Sequence, residues 1–156
     1  MMDQTPVQTR EAKVNARSRG LLVIWAGQFV SLVLFVALTR IVEVAARPED
    51  DVFLYQIFGA LGGAGLALSF VLKYMLLKRA AATQRPDVAT TAYVVAFALC
   101  ELVAIFELVN YFISGVSKGV LFALAALGLL LHFPRRTHIE AATPGDTAQT
   151  SYGTMS

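Results

Sequence analysis

Residues 89–113 form an apolar stretch that is long enough to cross a lipid bilayer, yet it contains two glutamates, Glu101 and Glu107. A helix of about 20 apolar residues spans the hydrocarbon core. A carboxylate at mid-membrane depth is costly unless it is neutralised or paired. Any fold of this chain must therefore accommodate both acidic side chains within an apolar segment.

The composition indicates a membrane protein. Of 156 residues, 56% are hydrophobic and only 15% are charged, against roughly 25% charged in soluble domains. A net charge of +2 gives no electrostatic basis for binding nucleic acid. The single cysteine excludes a disulfide framework, and the sequence contains no phosphate loop, no Ser/His/Asp constellation and no Cys/His cluster with metal spacing. We therefore predict no enzyme activity, no metal and no cofactor.

Four apolar segments predict an all-α, four-helix transmembrane bundle with short loops across residues 21–134. The first segment is too long for the core of a cleaved signal peptide, which has roughly 7–15 residues, so we expect a retained anchor. A basic N-terminal segment (1–20) and a disordered tail (135–156) are expected to flank the bundle. The four predicted spans lie at about 21–46, 52–77, 88–113 and 117–133.

The charges of the loops predict the orientation. The N-terminal segment, the 78–87 loop and the stretch after Phe133 are basic, whereas the 47–51 loop is acidic. Basic loops remain on the cytoplasmic side. All three basic regions share one side only if there are four crossings. We therefore predict a multi-pass protein of the inner membrane with both termini in the cytoplasm.

Two charges of opposite sign lie at matching depths. At 1.5 Å per residue, Arg40 is about 28 Å along the first span, and Glu107 is at a similar distance along the third. The simplest arrangement is a buried Arg40–Glu107 ion pair that fixes the order of the helices. Glu43, one turn beyond Arg40, could share the guanidinium or reach interfacial water.

Glu101 lies about 20 Å along its helix, close to the midplane. No basic residue of the other spans lies at that depth. We expect this carboxyl to be protonated at neutral pH, because a charged form would be poorly solvated there. It could exchange its proton and so carry protons. Alternatively, it could be permanently protonated and hydrogen-bonded to a backbone carbonyl, Gln28 or Ser69.

Small residues cluster in the second span. Small residues three or four positions apart let helix backbones approach closely in lipid. We predict close helix packing along this face, at Gly59, Gly62, Gly63 and Gly65.

The glycine-rich stretch at 59–65, the loop Gln84-Arg85-Pro86-Asp87 and the run ELVAIFELV that begins at Glu101 follow one another in the order of a known hairpin. Over about residues 59–109, the chain resembles the c subunit, or proteolipid, of F-type ATP synthases. The resemblance implies that Glu101 is the ion-carrying carboxylate. It also implies that Arg85, Pro86 and Asp87 face a catalytic head or another soluble partner.

The chain departs from the family pattern at several positions. Glu107 replaces a glycine of the family, and the alternating glycine series is incomplete. Leu102 and Phe106 occupy the positions at which sodium-type members have hydroxyl ligands, so the resemblance implies a proton as the ion.

Three functions are compatible with this sequence. The first is a proton-handling membrane subunit with Glu101 as the carrier. The second is a non-catalytic accessory or assembly subunit whose buried charges only fix helix packing. The third is a small-molecule transporter that works as an oligomer. In each case the expected partners are the lipid bilayer and a homo-oligomer or larger membrane complex, without nucleic acid.

Overall fold

The computed structural model describes residues 6–45 and 48–144. In these ranges every regular element is an α-helix, which confirms the all-α prediction for the described part of the chain. The five helices, in chain order, are α1 (Pro6–Ile41), α2 (Pro48–Thr83), α3 (Pro86–Ser114), α4 (Val120–Leu131) and α5 (Arg136–Ala142).

Prolines begin the first three helices. Pro6, Pro48 and Pro86 occupy the first helical positions, where the missing N–H costs nothing and the fixed φ suits a helix. These three helices are longer than the predicted spans because they begin earlier, although α1 ends at Ile41 rather than at 46. The described residues of the basic segment 1–20 form the first part of α1. Residues 48–51, predicted as a loop, form the first turn of α2.

The central helix is α3, because it contacts the other four helices. Its most apolar stretch is 44% buried inside the protein, against 11% for the corresponding stretches of α1 and α2. Tyr93, Phe97 and Val103 are among its fully buried side chains. By contrast, α1 and α2 expose large apolar side chains such as Val33 and Phe53, as expected for surfaces that face lipid.

Two left-handed glycines shape the connection between α3 and α4. Gly115 has φ 72°, and its N–H donates to the Tyr111 carbonyl oxygen at 2.8 Å, which ends α3. Gly119, also with φ 72°, directly precedes α4. A side chain with a Cβ atom is strained at such φ values. The connection is therefore a compact loop, and α4 begins at Val120 rather than at 117.

Residues 132–135 separate α4 from α5, and the two helices are bent by 54° relative to each other. The prediction that the chain is disordered from 135 onward is wrong for Arg136–Ala142. Ile139 and Ala142 are fully buried, and Ala142 packs in one cluster with Ala80 of α2 and Ala89 of α3. Because this helix has only seven residues, its stability comes from tertiary packing rather than from a periodic sequence pattern. The rest of the predicted tail, 145–156, lies outside the described residues.

Contacts between helix ends bring the basic regions together. The Arg10 guanidinium donates to the backbone oxygens of Glu140 and Thr143 at 3.3 and 3.2 Å. Gln84 Nε2, which follows α2, donates to the Ala141 oxygen at 3.1 Å. The start of α1, the α2–α3 connection and α5 thus lie at one end of the protein.

In the part of the chain that the structure describes, three helices are long and apolar enough to cross a membrane, and a fourth crossing results if α4 and the bent α5 are counted as one span. The three segments are Arg10–Ile41, Val52–Thr83 and Pro86–Ser114. This length and composition are compatible with a membrane protein.

Candidate functional site

Glu107 is fully buried and caps the first turn of α4. Its Oε1 accepts hydrogen bonds from Ser117 Oγ at 3.0 Å and from the Gly119 N–H at 2.8 Å, and its Oε2 accepts one from the Leu121 N–H at 3.2 Å. The first N–H groups of a helix lack partners within the helix and carry a partial positive charge. Since Gly119 supplies no side-chain cap, a carboxylate from the neighbouring helix takes that role.

Arg40 is exposed near the end of α1. Among the residues that the structure describes, no ion pair joins it to Glu107 or to Glu43, which is itself exposed. Arg40 instead lines a pocket with Ser117 and Lys118. Equal depth places two residues at one level but does not decide which neighbour each one faces. The loop before α4 folds over Glu107 and supplies closer donors than the guanidinium that the sequence predicted.

Glu101 is partly buried on α3 and faces α1. Its Oε1 accepts a hydrogen bond from Ser31 Oγ at 2.8 Å. Within the described ranges, Glu101 forms no ion pair. Ser69, one of the partners considered from the sequence, donates to the Leu66 oxygen and contacts His132 instead. The two glutamates of α3 therefore face different helices and have different environments.

Gln28 lies one turn before Ser31 on α1, and residues three apart lie on the same face of a helix. Its Oε1 is buried and has no hydrogen-bond partner among the described residues. A buried acceptor that lacks a donor costs free energy. The face of α1 that carries Ser31, the partner of Glu101, therefore also carries a hydrogen-bond acceptor, Gln28 Oε1. This oxygen can accept a hydrogen bond from a further donor.

A buried polar cluster that the sequence analysis missed lies between α2 and the α4–α5 break. His132, fully buried, places its Nε2 2.8 Å from Ser69 Oγ and its Nδ1 3.5 Å from Lys73 Nζ. The Lys73 ammonium also lies 4.5 Å from the centroid of the Tyr93 ring. In a membrane, polar side chains of this kind are stable only when they satisfy one another.

Tyr93 extends this cluster to α5. Its hydroxyl lies 2.6 Å from His138 Nδ1 and accepts a hydrogen bond from the Arg135 N–H at 3.0 Å. Both histidines of the chain thus belong to one group of side chains. The signal available in the sequence was a lysine and a tyrosine within apolar segments, together with His132 two residues before Pro134.

Only some of the predicted glycines lie at helix contacts. A Cβ atom on Gly62 would lie 3.3 Å from Val103 Cγ1, whereas Gly59, Gly63 and Gly65 have open space around them. The tightest contact is at Gly128 of α4, where a Cβ atom would lie 2.6 Å from a Leu66 methyl carbon and 2.8 Å from the Cys100 sulfur. A lone glycine in a short segment has no pattern that would have identified it.

The loop Gln84-Arg85-Pro86-Asp87, which is part of the resemblance, lies at the same end of the protein as the basic regions. Along α3 it is distant from Glu101. Arg85 precedes α3, Pro86 is its first residue, and Asp87 lies in its first turn. The side chains of Arg85 and Asp87 form an exposed ion pair with an N–O distance of 2.6 Å. The loop therefore leads into the start of α3, Glu101 lies in the middle of the same helix, and the two belong to separate sites.

The described residues contain no group of three or more His, Cys, Asp or Glu side chains arranged to hold a metal ion. No family model, no curated protein and no solved structure matches this chain.

Proposed function

We propose that this chain is a multi-pass protein of the inner membrane that handles protons through the carboxyl group of Glu101. The observation that carries the proposal is the environment of this side chain. Glu101 lies midway along the central helix, contacts the Ser31 hydroxyl at 2.8 Å, and has no ion-pair partner in the described part of the chain. A carboxyl group at mid-membrane depth that has no ion-pair partner is the kind of site that proton-handling membrane proteins use.

Reversible protonation also requires that the Glu101 carboxyl group is accessible and that hydrogen-bonding groups lie near it. Glu101 is partly exposed at the surface of the protein rather than enclosed, so its carboxyl group is not sealed inside the bundle. The unpartnered Gln28 oxygen, one turn from Ser31, is a further acceptor on the same helix face. The resemblance to the ATP synthase c subunit, which implies the same role for Glu101, supports the proposal from the sequence.

The proposed topology has four crossings with both termini in the cytoplasm. It is supported by the gathering of the basic N-terminal segment, the α2–α3 connection and α5 at one end of the protein. Positively charged regions remain in the cytoplasm. In this topology, α4 and the bent α5 together make the fourth crossing.

We further propose that the protein works in a homo-oligomer or a larger membrane complex. The broad apolar faces of α1 and α2 can be covered by neighbouring subunits as well as by lipid. The exposed loop at Arg85, Pro86 and Asp87 would then face a soluble partner, as the resemblance implies.

A second candidate function is that of a non-catalytic accessory or assembly subunit. Glu107 supports this second candidate, because both oxygens of this buried carboxylate accept hydrogen bonds from the loop and the first turn of α4. An acidic residue of the central helix can therefore be purely structural in this protein. The two candidates differ in what they predict for Glu101.

The test is proton flux in proteoliposomes under an imposed pH gradient, measured with an entrapped pH-sensitive dye. Glu101→Gln should fold as the wild type but lose the flux, since the amide keeps the shape and cannot exchange a proton. Glu43→Gln, a matched change at an exposed glutamate, should retain it. Wild-type flux in Glu101→Gln, or no flux above empty liposomes for the wild type, would favour the accessory subunit.

A further inference from the structure

Three basic side chains from different parts of the chain surround Tyr93. The Lys73 ammonium, on α2, lies 4.5 Å from the centroid of the Tyr93 ring. The Tyr93 hydroxyl lies 2.6 Å from His138 Nδ1 and accepts a hydrogen bond from the Arg135 N–H at 3.0 Å. The side chains of Lys73 and Arg135 are close enough for their positive charges to repel each other. The break between α4 and α5 thus holds two cations beside one tyrosine.

No acidic side chain balances these two cations in the part of the chain that the structure describes. Neither Lys73 nor Arg135 forms an ion pair there. Glu140, the acidic residue of α5, pairs with Arg136 at 2.5 Å. The Arg135 side chain is exposed and Lys73 is only partly buried, so a ligand can approach both. Two positive charges without a carboxylate favour an anionic group such as a phosphate.

The hydrogen bonds around His132 present an acceptor to Lys73. Ser69 Oγ donates its one hydrogen to the Leu66 carbonyl oxygen at 2.6 Å. His132 Nε2, 2.8 Å from Ser69 Oγ, is therefore the donor in that contact. In a neutral ring the other nitrogen then has a lone pair, and it faces the Lys73 ammonium at 3.5 Å. An ammonium has three hydrogens, so a contact with one acceptor leaves Lys73 with donors for a ligand.

The surroundings of the cluster are typical of the headgroup region of a bilayer. Tyr74, the residue after Lys73, is 69% exposed. The exposed ring of Phe133 packs edge-to-face against Trp25 at a centroid distance of 5.2 Å. Tyrosine and tryptophan are enriched where a bilayer meets water. In the proposed topology, this level belongs to the cytoplasmic leaflet.

Large apolar side chains are exposed on the side of the cluster that points toward the middle of the spans. Phe70, one turn before Lys73 on α2, is exposed, and the centroid of its ring lies 4.3 Å from that of His132. Leu130 and Leu131, at the end of α4, are exposed as well. A molecule that contacts both the cations and these side chains needs an anionic group next to an apolar part. A phospholipid has this arrangement.

We propose that Lys73 and Arg135 bind the phosphate of an anionic phospholipid in the cytoplasmic leaflet. The ammonium and the guanidinium donate to the phosphate oxygens, and an acyl chain lies against Phe70 and Leu131. A lipid with a net negative charge is favoured over a zwitterionic one, because the cations have no carboxylate of their own in the described part of the chain. Lipid binding is a property beyond proton handling and does not depend on Glu101; only the leaflet follows from the proposed topology.

The test is native mass spectrometry of the purified protein titrated with phosphatidylglycerol or with phosphatidylcholine of the same acyl chains. The wild type should bind the first more tightly. Each basic side chain beside an anionic lipid contributes roughly a fivefold gain in affinity, so Arg135→Gln should lose about fivefold and Lys73→Gln/Arg135→Gln about 30-fold for phosphatidylglycerol. Arg135→Gln keeps the backbone N–H that bonds to Tyr93, so it should fold, which the fluorescence of Trp25 can verify.

The matched control is Lys78→Gln/Arg79→Gln, which removes two exposed positive charges from the same helix and the same end of the protein. These residues follow Lys73 by five and six positions, so they project more than about 100° around the helix axis from it. The control should bind phosphatidylglycerol as the wild type does. Free glycerol phosphate, which lacks acyl chains, should bind poorly to every variant.

Four results would overturn the proposal. The first is equal affinity of the wild type for the two lipids, and the second is wild-type affinity for phosphatidylglycerol in folded Arg135→Gln. The third is an equal loss in Lys78→Gln/Arg79→Gln and in Lys73→Gln/Arg135→Gln, which would indicate a diffuse attraction to the basic end. The fourth is binding of free glycerol phosphate as tight as that of the lipid, which would indicate a site for a soluble anion.

Discussion

Replacing Glu107 with alanine should lower the free energy of unfolding by about 3 kcal/mol. The hydrogen bond that the Gly119 N–H donates to Glu107 would be lost, at a cost of about 1 kcal/mol. The Leu121 N–H, which is buried, would lose its partner, and a buried unpaired donor costs about 1–3 kcal/mol. The Ser117 hydroxyl is exposed and can turn to solvent, so it adds little. This cost belongs to the start of α4 and does not involve Arg40.

A double-mutant cycle separates this account from the ion pair that matching depths predict. Arg40→Leu should change the free energy of unfolding by less than about 0.5 kcal/mol, because Arg40 is exposed. The double variant Arg40→Leu/Glu107→Ala should equal the sum of the two single changes within about 0.5 kcal/mol. A buried ion pair would instead make Arg40→Leu strongly destabilising, and removal of both partners would partly reverse the loss.

Unfolding can be followed by SDS titration in mixed micelles with the fluorescence of Trp25, the single tryptophan. Its Nε1 donates to the Leu129 carbonyl oxygen at 2.8 Å, so the signal reports the packing of α1 on α4. Glu43→Ala, at an exposed glutamate, is the control and should behave as the wild type. Wild-type stability of Glu107→Ala, or a coupling above about 1 kcal/mol with Arg40, would refute the reasoning.

Two further predictions concern packing and the polar cluster. Gly128→Ala should destabilise the protein by about 1–3 kcal/mol, because its Cβ atom would lie 2.6 Å from Leu66. Gly63→Ala, in open space, is the control and should stay within about 1 kcal/mol of the wild type in the same titration. Equal effects of the two changes would contradict a close helix contact at Gly128. Tyr93→Phe removes the acceptor of the Arg135 N–H, so amide hydrogen exchange in Arg136–Ala142 should accelerate by about fivefold, as expected for a hydrogen bond worth roughly 1 kcal/mol. Unchanged exchange in α5 would show that this contact does not hold the helix.

The parts of the fold that depend on apolar length could be predicted from the sequence. Residues 88–113 were predicted as a span, and α3 covers Pro86–Ser114, since its apolar run ends at clear turn signals. The position of α5 could not be predicted, because Ile139 and Ala142 become buried only through contacts with other helices. Local composition at 135–156 resembles that of a solvated tail.

The partners of the two glutamates could be predicted only in part. Depth along a helix follows from residue number, and it places no basic residue of the other spans level with Glu101. Within the described ranges, Glu101 forms no ion pair. The side on which a neighbour lies depends on the loops. The sequence does not indicate that the loop with the two left-handed glycines would bring the start of α4 to Glu107, which caps it. The Lys73–His132 contact likewise depends on the break between α4 and α5, which brings distant residues together.

Labelling with a hydrophobic carbodiimide, which attacks protonated carboxyl groups in lipid, tests the role of Glu101 most directly. Peptide mass spectrometry of protein treated in proteoliposomes over a pH series would locate the modified residue. The proposal predicts that Glu101 is labelled, that labelling falls as the pH rises, and that the capped Glu107 remains unmodified. Absence of labelling at Glu101 at every pH, or labelling that does not change with pH, would contradict reversible protonation of this residue.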